Sequence, residues 1–172
     1  MALPSKDGLL AERVASSYQQ LCNAASDLNT ISDELGNSIS QIDAALRSLN
    51  LGISVWVDIV STDDDQTHDY WGEKVGYAKV SGKWGISLCT FSGNYERPEQ
   101  ETGEEWLFND GPRKLRLSAI EKIPDLLKNL SEEAVKTTER IRGKLAAAQQ
   151  VATAVKNAAT KPVTNKSLGV QK

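Results

Sequence analysis

Long apolar runs are absent from this 172-residue chain. No stretch approaches the about 18 apolar residues a membrane-crossing helix needs, and the N-terminal segment has no apolar core followed by a cleavage site. A cytoplasmic location with no membrane partner is therefore expected. Histidine occurs once. Any Ser–His–Asp relay must use His68, and no Gly-x-Ser-x-Gly elbow exists to hold its nucleophile. Cysteine occurs twice, at Cys22 and Cys89, with neither metal-ligand nor redox spacing, so reduced structural thiols are expected. Glycines sit in strand and turn patterns rather than between a strand and a helix, which leaves no phosphate-binding loop. No cofactor and no catalytic residue is expected, and the chain reads as a non-enzyme.

What the chain has is charge sorted by region. Residues 1–50 carry 3 basic and 6 acidic side chains, residues 51–110 carry 4 and 12, and residues 111–172 carry 13 and 5. The overall balance is −3. The basic third contains Arg113, Lys114, Arg116, Lys136, Arg140, Arg142 and Lys144, yet Glu121, Glu132, Glu133 and Glu139 interrupt it. That interruption and a pI near 5.3 count against nucleic acid as a partner.

A long helix is predicted over residues 8–49, capped by Asp7 or Ser5. Its apolar positions step by 4 and 3: Val14, Tyr18, Leu21, Ala25, Leu28, then Ser32, then Leu35, Ile39, Ile42, Leu46 and Leu49. This 3.5-residue repeat is that of a coiled-coil seam. The three poor helix formers Gly36, Asn37 and Ser38 predict a kink or break.

Residues 53–109 hold all four Trp, both Phe and three of the four Tyr. They read as a four-stranded antiparallel meander, with strands over 53–60, 73–80, 83–91 and 104–109. Ile53, Val55, Val57 and Ile59 alternate onto one face and Trp56 falls on the other. Ser81-Gly82 fits a two-residue hairpin turn. The seven residues Val80-Ser81-Gly82-Lys83-Trp84-Gly85-Ile86 resemble one unit of the bacterial WG repeat, present in a single copy. A meander places both long polar loops at the end of the sheet far from the helices. There Asp63, Asp64, Asp65, Asp69, Glu96, Glu99 and Glu101 form an acidic rim with His68, Tyr70, Trp71, Tyr95 and a lone Arg97.

A second long helix is predicted over 118–158, begun by a capping box at Ser118 and Glu121, with a kink or restart at Pro124. One apolar residue recurs every seven: Ile120, Leu127, Ala134, Ile141, Ala148, Val155. Residues 1–160 thus read as a single α+β domain and 161–172 as a polar basic tail. The two helices flank the sheet and pair as an antiparallel coiled-coil hairpin or in a dimer. Helix, β-hairpins, helix is also the plan of prefoldin subunits, a resemblance of architecture and not of residues.

Two functions follow as expectations. The first is an oligomeric scaffold, most simply a homodimer, that offers the acidic aromatic rim to a protein partner. The second is a module sensing or sequestering a small ligand such as a nucleotide or metabolite, with Tyr70, Trp71, Tyr95 and Trp106 lining a pocket at the sheet loops. Asp63, Asp65 and Asp69 are weak metal candidates. Counting Asp63 as position 1 of an EF-hand puts His68 where Gly is required and Lys74 where the bidentate Glu is required, so no dedicated metal site is expected.

Overall fold

A computed structural model describes residues 6–160. Helix α1 (Lys6–Ser48) leads into strands β1 (Val55–Asp63), β2 (Asp69–Val80), β3 (Lys83–Asn94) and β4 (Thr102–Leu107), followed by helices α2 (Arg113–Ile120) and α3 (Ile123–Ala159). Single 3₁₀ turns occupy Pro98–Gln100 and Phe108–Asp110. The strands form one antiparallel sheet in the order β1-β2-β3-β4. The α+β class and the meander are as the sequence predicts. The chain divides into two compact units, one ending at Leu130 and the other beginning at Ser131. Of the two caps proposed for α1, Ser5 lies outside the described residues, as does the tail over 161–172, and Asp7 falls inside the helix.

In the first unit, the core face of the sheet presents Val75, Tyr77, Ile86 and Leu88, all buried. Ile39 and Leu46 of α1, Leu115 and Ala119 of α2, and Ile123, Leu126 and Leu130 of α3 pack on the same cluster. Ile53, Val55, Val57 and Ile59 join its margin, as alternation predicts. Tyr77 and Trp84 stack with ring centroids 5.6 Å apart. The opposite face is built differently. Three aromatic residues stand directly across from glycines in the register: Trp56 and Gly76, Phe91 and Gly72, Tyr70 and Gly93. A Cβ added at any of these glycines would come within 2.4 Å of its partner's ring or hydroxyl. Each ring therefore lies over bare backbone and covers it, as an aromatic does opposite a strand glycine.

The strands differ from the sequence prediction at their ends. β1 continues to Asp63 and β2 begins at Asp69, because Asp63 pairs with Tyr70 across the ladder. Cross-strand pairing overrides the low strand propensity of Asp and Ser there. A bulge between Asp58 and Val60 shifts the register, so the alternation read from Ile53 reverses beyond Ile59. β4 stops at Leu107, and Phe108 turns into a 3₁₀ turn and is buried. The β2–β3 connection is as predicted: Ser81 and Gly82 have φ of 49° and 84°, the left-handed pair a type I′ turn requires.

Two helical predictions are corrected. The break does not occur: α1 runs on as helix through Gly36, Asn37 and Ser38. Gly36 is there for close approach. A Cβ would stand 2.9 Å from Asn109 Oδ1, and Asn109 Nδ2 donates to the Gly36 carbonyl (3.3 Å) and to Ser40 Oγ (2.9 Å). The capping box at Ser118 does not form. α2 starts earlier, at Arg113 after Pro112, and Ser118 Oγ donates back to the Lys114 carbonyl. The helix then ends at Ile120 and restarts at Ile123, with Pro124 in the first turn, where its missing N–H costs nothing.

α1 also closes a gap in the sheet. β3 pairs with β4 only from Ser87 onward, which leaves the Ile86 amide without a strand partner. Asp43 Oδ1 accepts that amide at 2.8 Å, while Asp43 Oδ2 holds Arg47 at 3.0 Å. An acidic side chain on a helix thus stands where the next strand's carbonyl would be, and the buried N–H is satisfied.

Candidate functional site

The far end of the sheet is organised by short-range chemistry. In the β1–β2 loop the Asp64 side chain accepts from the Gln66 amide (2.8 Å) and the Thr67 amide (3.3 Å), and its carbonyl accepts from the His68 amide (2.8 Å). The two loop amides hold the Asp64 carboxyl below its ordinary value. His68 takes the left-handed conformation, φ 58°, that closes the loop.

The β3–β4 loop is tied to this one. The Tyr95 amide donates to the His68 carbonyl (2.9 Å), and Asn94 Nδ2 donates to the Thr67 carbonyl (2.8 Å) and to Asp69 Oδ1 (2.7 Å). His68 Nδ1 meets Glu96 Oε1 at 2.8 Å, with both side chains about half exposed or more. Tyr70 and Tyr95 lie 4.6 Å apart, ring to ring. Tyr70 donates to Glu101 (2.7 Å) and Tyr95 to Asp63 (3.1 Å). The bond to Glu101 raises the pKa of the Tyr70 hydroxyl, and the bond to Asp63 does the same for Tyr95, so both phenols stay protonated.

The structure therefore brings His68, Asp69, Tyr70, Tyr95, Glu96, Glu101 and Asp63 into one rim. It does not gather the four aromatics assigned to a pocket. Tyr70 faces the glycine-bearing side of the sheet, whereas Trp71 and Trp106 point to the other side. Trp106 packs against the core, and Trp71 is 47% exposed. Strand alternation separates Tyr70 from Trp71 because adjacent residues must face opposite ways. Beside Trp71 lies a shallow groove of about 350 Å³, with Glu73, Thr90, Ser92, Thr102 and Glu104 on its walls. Arg97 is exposed, and among the described residues it forms no ion pair.

Of the metal candidates, Asp63 accepts from Tyr95, Asp69 accepts from Asn94, and Asp65 is exposed in the loop. Among the described residues no three His, Cys, Asp or Glu side chains converge as a ligand set. Burial raises the Cys89 thiol, which keeps it protonated and unreactive, and Cys22 is exposed on α1. No helix among the described residues is long and apolar enough to cross a membrane.

Among the described residues, most of the exposed large apolar side chains lie on helices. In the first unit, Leu10, Val14, Tyr18, Leu21, Leu28 and Ile31 of α1 are 49–67% exposed. They are the predicted seam and its immediate neighbours. Where α2 approaches, Arg113 donates to Asn29 (3.0 Å) and Arg116 to Ser32 (3.2 Å). Between them Leu28, Ile31, Leu35 and Leu117 line a small apolar cleft of about 60 Å³. In the second unit, the α3 seam residues Ile141, Leu145 and Val155 are 51–63% exposed, and the neighbouring Val135 and Val151 are equally open. Helix periodicity in the sequence marks both apolar faces. Comparison with protein-family models, curated proteins and solved structures finds no match to this chain.

Proposed function

We propose that the protein is a non-enzymatic, self-associating scaffold whose coiled-coil seams assemble copies of the chain, most simply into a homodimer, and whose sheet presents the acidic aromatic rim to a protein partner. The observation that carries this reading is the exposure of the apolar face of α1: six large apolar side chains along one helix, each about half exposed or more. A contiguous apolar stripe of this kind on an otherwise polar surface marks an interaction site. The rim supports the second half of the reading. Its carboxylates accept from neighbouring phenols, amides and His68, which fixes the loops in one conformation and spares later ordering on binding. A partner with basic side chains suits its sign.

A second reading, a small-ligand module, draws on the groove beside Trp71, which has the volume of a small-molecule site but is open and shallow. Native mass spectrometry on gently purified protein separates the two. A dimer at twice the chain mass supports the scaffold. A reproducible extra mass per chain, lost on Trp71→Ala, supports the ligand module instead. A bare monomer at all concentrations overturns the self-association.

A further inference from the structure

The two exposed seams differ in size and in charge, and the differences are complementary. The uncovered part of α1 carries bulky residues, Val14, Tyr18, Leu21 and Leu28. The α3 seam carries Ala148 and Ala152 between Leu145 and Val155, next to the run Ala146-Ala147. Small residues on one helix let a bulky partner approach closely. The charged positions flanking the α3 seam, Arg142, Lys144 and Lys156, are all basic, so α3 against α3 brings like charges together. The positions flanking the α1 seam, Ala15, Ser17, Cys22, Ala24, Asn29 and Ile31, carry no charge. Behind them stand Glu12, Asp27, Asp33 and Glu34 against a single Arg13.

We infer that the α1 seam is covered by the α3 seam of a second copy of this chain, laid antiparallel. This rests on the scaffold reading and specifies its interface. Direction follows from sequence order once the two apolar repeats, 10–35 and 134–155, are centred on each other. Antiparallel packing then sets Leu21 opposite Ala146, Tyr18 just past the Ala-rich run at 146–148, and Asp27 opposite Arg140, with Asp33 near Lys136. Parallel packing sets Asp27 opposite Gln149 and loses that charge match.

Site-directed disulfides between copies test this. In a Cys22→Ser, Cys89→Ser background, one chain carries Ile31→Cys or Ser17→Cys and the other Thr137→Cys or Val151→Cys, each confirmed folded by its melting transition. Chains are mixed and oxidised mildly. The antiparallel pair predicts cross-links of position 31 with 137 and 17 with 151, about tenfold faster than the exchanged combinations, because effective concentration falls steeply with separation. Faster linking of 31 with 151 and 17 with 137 overturns the direction. Homodisulfides of the α1 chain that outpace every mixed product overturn the pairing of α1 with α3. A dimer by native mass with no mixed cross-link overturns this interface and leaves the scaffold reading standing. A monomer at every concentration overturns both.

Discussion

Within the first unit, α1 carries one apolar repeat along its length, yet its two halves sit in different surroundings. Ile39 and Leu46 are 5% and 8% exposed, buried against the sheet, while Leu10, Tyr18 and Leu21 are more than 60% exposed. The C-terminal half also carries polar residues with assigned tasks: Gly36 admits Asn109, and Asp43 completes the edge of β3. The N-terminal half has no comparable long-range polar bond before Asn29 and Ser32 meet α2 among the described residues. The same heptad spacing thus serves a core in one half and a free seam in the other. A repeat states which face is apolar and leaves open what covers it.

The largest expected effect exploits that contrast directly. Ile39→Ala is expected to cost about 2–5 kcal/mol in chemical denaturation. Leu21→Ala, measured at high dilution, should stay within about 0.5 kcal/mol. Equal costs would mean that the N-terminal half is packed within the chain. Next, Asp43→Ala strands a buried amide, since Ile86 is 1% exposed, and should destabilise by about 1–3 kcal/mol. Asp43→Asn keeps an acceptor oxygen and should recover much of that in the same unfolding assay. A full-sized loss in Asn would assign the effect to the Arg47 pair instead.

A smaller effect compares two helix glycines, one on each long helix. Gly143→Ala meets nothing within 4 Å and should raise stability by about 1 kcal/mol. Gly36→Ala drives its Cβ toward Asn109 Oδ1 and should lose that gain or reverse it. A gain at both positions, read as a rise in melting temperature, would mean Asn109 yields freely. The smallest effect is on pH. The folded Asp64 carboxyl lies below its unfolded value, so its contribution to loop order is present above the ordinary carboxylate range and is lost as pH falls through the lowered value. Amide exchange at Gln66 and Thr67 should quicken over that acid range, and Asp64→Asn should abolish the pH dependence.

The rim was legible from topology alone. Alternating apolar residues, the Ser81-Gly82 turn and four strand-length segments imply a meander, and a meander puts its long loops together. What could not be read was which way each aromatic points. Tyr70 and Trp71 are neighbours in sequence and strand alternation sends them to opposite faces, so a pocket built by listing nearby aromatics fails. The bulge at Ile59 was hidden for a similar reason: it is fixed by which residue of β2 stands opposite, and that is not a local property.

Sequence by itself determined the α+β order of elements, the hairpin turn, the sorting of charge by region and the apolar seams, because propensity, periodicity and turn geometry act over a few residues. Only the tertiary structure decided the unbroken course of α1 through Gly36, the earlier start of α2, the aromatic rings laid over strand glycines and the Asp43 bond to the edge of β3. Each of those depends on a partner distant in the chain, and a residue's poor local preference is overridden when that partner supplies the contact the local conformation lacks.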